Sequence, residues 1–215
     1  MPRDVLERAF DVVQDLSRRE GVEAGDLRKV AIKRRWTVVI GTRGQAGMAM
    51  NFTGSPDEGI DDPAAEMVDE IRSLVGQPLT ALAERFVPSR DQGRRAVALA
   101  ALNALSQPLL TAERFNRAGY LYTEDDLPGI VGPDDVVAIV GYGGLVRHYA
   151  GRCRELHVTE LKPASVFRTV VVGETIDTGP ALVQVHPASE NRDVLGRADV
   201  VFVTGSTLVN GTFDE

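Results

Sequence analysis

Asp135-Val136-Val137-Ala138-Ile139-Val140-Gly141-Tyr142-Gly143-Gly144 is the stretch that decides the fold. Its five consecutive apolar residues, 136–140, stand between a polar turn and a glycine-rich turn. Short apolar runs with such borders are typical of strands buried on both faces of a parallel sheet. The pattern predicts a Rossmann-like α/β unit from about Pro133 onward, whose first strand delivers the turn 141–144 to a ligand site.

The residues after this turn continue the alternation of helix and strand. Residues 145–150 are predicted to form a short helix, and apolar runs typical of strands follow at 156–161 and 199–204. Two more apolar runs, 166–172 and 181–185, are strand candidates whose order in the sheet the pattern leaves open. We therefore expect a parallel core of three strands with one open edge.

The first half of the chain follows a different pattern, in which extended segments separated by polar turns lie among amphipathic helices. The predicted extended segments are 28–32, 36–41 and 46–52, and the predicted helices are 5–19, 63–74, 79–86 and 90–105. The last helix is rich in alanine, so we expect it to be buried with a neighbouring backbone close to it. An antiparallel meander followed by helices indicates an α+β domain.

The fold class predicted from these patterns is α/β, with an α+β domain first and a short Rossmann-like domain second. We place the first domain at residues 1–110 and the second at residues 133–215. Residues 111–132 contain one proline, three glycines and an acidic run, and are predicted to be a linker with some order of its own.

Composition excludes several classes of partner. The 215 residues carry a formal net charge of −7, whereas nucleic-acid binding needs clustered Lys and Arg. The basic residues 33–35 stand between apolar residues and are better explained as a hairpin turn or an exposed strand end. No apolar run approaches the ~20 residues of a membrane span, and no signal peptide is visible, so we expect a cytoplasmic protein that contacts no membrane. A single cysteine, Cys153, excludes an internal disulfide.

The glycine turn has two interpretations. Gly141 allows a tight turn out of the strand, while Gly143 and Gly144 remove side chains where the backbone must approach either a ligand or a packed neighbour. The third position of the dinucleotide fingerprint is Val146, so that fingerprint is incomplete. Glu160 follows Gly141 by 19 residues, near the position of a ribose-binding carboxylate, and is otherwise a solvent-facing strand end.

A second polar loop, Thr204-Gly205-Ser206-Thr207-Leu208-Val209-Asn210-Gly211-Thr212, follows the last predicted strand. Hydroxyl groups, an amide and flexible backbone at the carboxyl end of a parallel strand suit the binding of an oxyanion or another polar group. The alternative is structural, with Ser206 or Thr207 capping a helix and Asn210-Gly211 forming a turn. Arg43, Arg94 and Arg95 are the cations of the first domain that are candidates for reaching a ligand.

Metal-ligating residues are few. No pair among His148, His157, His186 and Cys153 has a recognised zinc spacing. His157 stands within a predicted buried strand and is better explained as a core or edge residue. The weak candidates for a metal ligand are His186, Glu160 and Cys153, and the sequence alone does not establish a metal site.

Four segments carry a family resemblance: Ala-Leu-Asn-Ala at 101–104, Val-Gly-Tyr-Gly-Gly at 140–144, Val-Thr-Glu-Leu at 158–161 and the loop 204–212. In this combination the chain resembles the putative heavy-metal chelation family, which joins an enolase-N-terminal-like domain to a Rossmann-like domain with a proposed active site at their junction. The resemblance implies the following site residues: Asn103, Gly141, Tyr142, Gly143, Gly144, Glu160, Gly205, Ser206, Thr207, Asn210 and Thr212.

The family's second domain usually continues with further helices and strands, whereas this sequence stops at Glu215. The resemblance therefore implies a truncated Rossmann-like domain or a partner subunit, such as a second copy, that covers the open sheet edge.

Our leading hypothesis is a two-domain protein that binds a small anionic or metal-associated ligand between its domains, with a transition-metal ion as the candidate cofactor. The alternative is a transferase or lyase that uses a nucleotide or S-adenosylmethionine in the same crevice, so whether the protein is an enzyme is left open. A third hypothesis is an interaction module without activity.

Overall fold

The structure is a computed structural model that describes residues 3–33, 35–51, 64–120, 129–167, 170–172, 176–178 and 182–214. The chain forms two compact units, one made of residues 1–123 with 205–215 and the other of residues 124–204. The last eleven residues thus pack with the first unit, whereas the sequence pattern groups them with residues 133–204. None of the helices in the described ranges combines the length and apolar character that a membrane span requires.

The described residues of the first unit form six α-helices and one antiparallel sheet. Its strands are β1 (Leu27–Ile32), β2 (Trp36–Gly41) and β3 (Ala46–Met50), in the order β1-β2-β3. Its helices are α1 (Val5–Arg19), α2 (Ala65–Leu74), α3 (Leu79–Phe86), α4 (Gln92–Ser106), α5 (Ala112–Arg117) and α8 (Ser206–Asn210). The predicted α+β character is confirmed, and the predicted linker contains the short helix α5.

Helix α4 and strand β3 approach each other closely because both have small residues at their contact. A Cβ atom added to Gly47 would lie only 2.1 Å from the carbonyl oxygen of Ala100 and 2.2 Å from the nitrogen of Ala104. Ala100 and Ala104 are fully buried. The prediction that the alanine-rich helix is buried against a neighbouring backbone is therefore confirmed.

The second unit is built on a parallel sheet in the strand order β8-β5-β4-β9. Its strands are β4 (Val136–Val140), β5 (Glu155–Glu160), β8 (Gln184–Pro187) and β9 (Val200–Val203), with an antiparallel pair β6 (Val170–Val172) and β7 (Ile176–Thr178) beside them in the chain. Its helices are α6 (Gly144–Tyr149) and α7 (Asn191–Leu195). The predicted parallel core thus gains a fourth strand, β8, because the run 181–185 continues into a strand that pairs with β5.

The alternation of side chains divides the parallel sheet into two faces. Val137 and Ile139 of β4 and Leu156 and Val158 of β5 form one core cluster that includes Val146 of α6. On β5, His157 and Thr159 therefore belong to the opposite face. Both are buried polar residues, at 6% and 1% exposure. This opposite face, here called the second face, therefore carries polar side chains that can bind a ligand.

Candidate functional site

The glycine turn bends sharply at Gly141, where β4 ends. Gly141 has a φ of +90°, a conformation that residues with a side chain rarely adopt. A Cβ atom at this position would lie 2.8 Å from Cγ2 of Thr204, which follows β9 at the same edge of the sheet. The N–H of Thr204 donates to the carbonyl oxygen of Val140 over 3.3 Å, so the ends of β4 and β9 are tied together. Gly141 is thus required by the fold itself.

Gly143 and Gly144 differ from Gly141 because nothing packs against them. A Cβ atom added to either residue would find no heavy atom within 4 Å, and both residues are exposed. Their backbone N–H groups have no hydrogen-bond partner among the described residues. The packed-neighbour explanation of these two glycines therefore has no support in the described part of the chain, and two donors point from an open stretch of backbone.

Glu160, at the end of β5, holds the turn in place. Its Oε2 accepts the N–H of Tyr142 over 2.9 Å, and its Oε1 accepts the N–H groups of Leu161 at 2.8 Å and Lys162 at 3.2 Å. The ring of Tyr142 stacks on Phe167 with ring centres 4.5 Å apart. The structure thus brings the predicted residues Tyr142 and Glu160 together, in a contact where the carboxylate already accepts three hydrogen bonds.

The predicted site residues of the first unit have local partners. Asn103 donates from Nδ2 to the carbonyl oxygen of Met48 over 2.8 Å and so links α4 to β3. Oδ1 of Asn210 accepts from both the N–H and the hydroxyl of Thr212, at 3.1 and 2.8 Å. Helix α8 occupies much of the second polar loop, and Gly211 ends it with a φ of +81°.

The remaining residues of that loop have structural features of their own. Gly205 is the residue that precedes α8, and no side chain caps the helix start with a hydrogen bond. Ser206 and Thr207 begin the helix, and Thr207 is buried. The predicted Asn210-Gly211 turn is present, and Gly205, rather than Ser206 or Thr207, occupies the N-cap position of α8.

The three candidate cations of the first unit are all engaged by acidic partners. Arg43 pairs with Glu23, and Arg94 pairs with Glu70 through two hydrogen bonds of 2.8 and 2.9 Å.

Arg95 is buried at 2% exposure and pairs with Asp4 over 2.9 Å. It also donates to the carbonyl oxygens of Leu208 and Val209 at the end of α8, at 2.6 and 3.0 Å. Sequence reasoning missed this role, because the acidic partner and the carbonyl groups are more than 90 residues away along the chain.

The weak metal candidates do not meet one another. Cys153 lies near the carbonyl oxygens of Tyr149 and Glu155, at 3.6 and 3.4 Å, and burial together with the charge of Asp135 raises the pKa of its thiol. Glu160 is occupied at the glycine turn. Among the described residues, no group of three His, Cys, Asp or Glu side chains is arranged to hold a metal ion.

His186 instead joins a linear chain of four side chains. Its Nε2 lies 3.0 Å from Nδ1 of His157, and its Nδ1 lies 3.0 Å from a carboxylate oxygen of Glu190. Nε2 of His157 lies 3.1 Å from a carboxylate oxygen of Glu155. The sequence placed His157 in a predicted strand and His186 just after the apolar run 181–185, but only the register of β5 with β8 brings them onto the same face of the sheet.

The fold and the site together define a class of protein. Its members combine an antiparallel α+β unit with a Rossmann-like unit that carries an open glycine turn. Two family models described as putative heavy-metal chelation match the chain, one at residues 17–106 and the other at residues 129–215. The chain belongs to the putative heavy-metal chelation family, as its resemblance indicates.

Two solved structures share the fold. Both are proteins of unknown function from the DUF364 family, one from Desulfitobacterium hafniense DCB-2 and one from Pyrococcus horikoshii. The first is 17% identical with a TM-score of 0.60, and the match covers 96% of this chain and 70% of the other. The second is 18% identical with a TM-score of 0.57, covering 97% and 71%. No curated protein matches the chain.

Proposed function

We propose that this protein binds a small anionic ligand, or an anionic metal complex, at the turn 141–144. The observation that carries the proposal is the pair of backbone N–H groups at Gly143 and Gly144, which have no partner among the described residues and belong to exposed residues. Main-chain N–H groups without a partner near the start of a helix suit the oxygen atoms of an anion. The family description, heavy-metal chelation, supports a ligand that is associated with a metal.

Glu160 acts in this proposal as a positioning residue. By accepting the N–H of Tyr142 it fixes the turn one residue before the two free donors. A turn that is already fixed loses less conformational freedom when it binds a ligand. Three hydrogen bonds also spread the carboxylate charge, which reduces its repulsion of an anion nearby.

The predicted roles of Asn103 and residues 205–212, and the predicted cosubstrate, remain predictions. Asn103 and the residues 205–212 belong to the other compact unit, and their local hydrogen bonds leave their part in ligand binding to be tested. A nucleotide or S-adenosylmethionine as cosubstrate is supported by the position of Glu160 at the end of β5, where such folds place a ribose-binding carboxylate. The three backbone donors already held by Glu160 weigh against that alternative.

The proposal is tested by isothermal titration of the protein with inorganic phosphate, pyrophosphate and adenosine monophosphate. We expect saturable binding of at least one anion, and at least a tenfold loss of affinity in Gly143→Leu, since the leucine side chain would fill the approach to the two N–H groups. Gly129→Leu is the matched control, because that glycine of the same unit is equally open. Binding that is unchanged in Gly143→Leu would remove the turn from the site.

A titration with adenosine discriminates the cosubstrate alternative. Adenosine carries no phosphate, so it does not bind to an anion site. A site that recognises the nucleoside does bind it. Glu160→Ala does not serve this purpose, because removal of the carboxylate releases the turn and weakens both kinds of binding.

A further inference from the structure

We infer that His157 and His186 are two neighbouring ligands of a divalent transition-metal ion on the second face of the parallel sheet. This site is distinct from the glycine turn, and the inference does not rest on the proposed function. Its basis is the chain of contacts Glu155–His157–His186–Glu190, whose three links are 3.1, 3.0 and 3.0 Å long.

With both imidazoles neutral, proton counting leaves room for one proton or one cation at the centre of this chain. A neutral imidazole has one N–H group, and an ionised carboxylate only accepts hydrogen bonds. The two outer contacts, with Glu155 and Glu190, therefore use both available protons. Nδ1 of His157 and Nε2 of His186 are then two bare lone pairs that face each other at 3.0 Å. A shared proton or a metal cation between them removes this repulsion, and the geometry described below points to the metal.

The distance between the two nitrogen atoms fits one metal ion. Nitrogen ligands about 2.1 Å from an ion and at about 90° to each other lie about 3.0 Å apart, whereas a tetrahedral angle separates them by about 3.4 Å. The observed 3.0 Å matches the right-angled pair. Imidazole ligands at right angles are typical of Ni²⁺ and Cu²⁺, which favour octahedral or tetragonal geometry.

The surroundings of both histidines match those of metal ligands. A metal-binding histidine usually donates its other ring N–H to a carboxylate, which fixes the tautomer and the ring orientation. Glu155 does this for His157 and Glu190 does it for His186. Two separate carboxylates thus orient two rings so that their free nitrogen atoms converge.

A buried hydroxyl group on the same face has no partner. Thr159 pairs with His186 in the register of β5 and β8, is 1% exposed, and its Oγ1 makes no hydrogen bond among the described residues. A water molecule bound to the metal would supply such a partner. No third protein ligand is present in the described ranges, so the other coordination positions are left to water or to a small chelating molecule.

The test is isothermal titration of the untagged full chain with NiCl₂, together with electron paramagnetic resonance of the Cu²⁺-loaded protein. We expect one Ni²⁺ per chain and a Cu²⁺ spectrum split by two nitrogen atoms. His157→Gln and His186→Gln should each lower the Ni²⁺ affinity at least tenfold and leave one nitrogen in the Cu²⁺ spectrum. His148→Gln, which changes the third histidine, should bind Ni²⁺ like the unchanged protein.

Two further variants keep the result interpretable. Glu190→Gln alters an exposed residue and should lower the affinity about tenfold without unfolding the buried His157. Gly143→Leu should bind Ni²⁺ normally, so that failure of the anion site and failure of the metal site are distinguishable. Absence of saturable Ni²⁺ and Cu²⁺ binding, or a Ni²⁺ affinity in both histidine variants equal to that of the unchanged protein, would show that the pair merely shares a proton and would overturn the inference.

Discussion

The backbone N–H of Tyr142 donates to Oε2 of Glu160 over 2.9 Å, so a side chain at the end of β5 fixes the turn that leaves β4. The two residues are 18 positions apart in the chain but adjacent at one edge of the parallel sheet, since Val140 pairs with Thr159. This contact explains how a turn containing three glycines keeps one conformation.

Removal of the Glu160 carboxylate should therefore destabilise the second unit. Glu160→Ala leaves three N–H groups without their acceptor. We expect a loss of about 2 kcal/mol in the free energy of unfolding, because the half-buried donors of Tyr142 and Lys162 regain only part of their hydrogen bonding from water. Urea unfolding measures the change. Asp134→Ala, at an exposed acidic residue of the same unit, should be neutral, and an equal loss in both variants would contradict this role.

The glycines of the turn should respond differently to substitution. Gly141→Ala should cost about 2 kcal/mol, since it places a side chain at a positive φ and against Thr204. Gly143→Ala should stay within about 0.5 kcal/mol of the unchanged protein, because its φ is −148° and its surroundings are open. Thermal unfolding of the two variants compares them. A large loss in Gly143→Ala would mean that this glycine serves the fold rather than a ligand.

The buried pair of Asp4 and Arg95 should make stability depend on pH in the acid range. Burial works to raise the pKa of Asp4, but hydrogen bonds from Arg95 and the N–H of Leu6, with the charges of Arg95 and Arg90, outweigh it and hold this pKa below its ordinary value. The stabilisation is thus complete above the ordinary pKa of an aspartate and is lost as the pH falls through the lowered one.

Asp4→Asn isolates this effect, because asparagine caps a helix as well as aspartate does. We expect a loss of about 3 kcal/mol at neutral pH, where the variant leaves the buried charge of Arg95 without its counterion. The difference between the two proteins should shrink below pH 4 in acid unfolding experiments. A constant difference at all pH values would contradict the assignment.

The close packing of β3 on α4 predicts a further loss of stability. Gly47→Ala should cost about 3 kcal/mol, because the new methyl group would force the strand away from Ala100 and Ala104. Ala46→Ser, at the exposed neighbouring position, is the control and should be neutral. Denaturant unfolding measures the stability of both variants. Equal stability of Gly47→Ala and Ala46→Ser would contradict the prediction, because it would mean that the strand shifts at no cost.

Local patterns predicted much of the fold. The apolar run of β4, the glycine turn and the alanine-rich helix are each encoded within about 15 residues, and each was confirmed. The predicted strand candidate 181–185 was displaced to Gln184–Pro187, and its place beside β5 depends on pairing that no local pattern contains.

The candidate site was less accessible to sequence reasoning. The spacing of Glu160 from the glycine turn suggested a role there, and the structure assigns its oxygen atoms to backbone N–H groups. His157 was predicted to be a core or edge residue, and its contact with His186 follows from strand register alone. Long-range pairings of this kind produce no local sequence pattern from which they could be predicted.

The most direct test of the central claim is a titration of ¹⁵N-labelled protein with pyrophosphate, followed by ¹H–¹⁵N correlation spectra. Binding at the turn 141–144 predicts that the amide signals of Gly143 and Gly144 shift saturably and further than those of other residues, while the signal of Gly129 stays in place. Saturable shifts confined to other residues, or signals of Gly143 and Gly144 that do not move, would contradict an anion site at this turn.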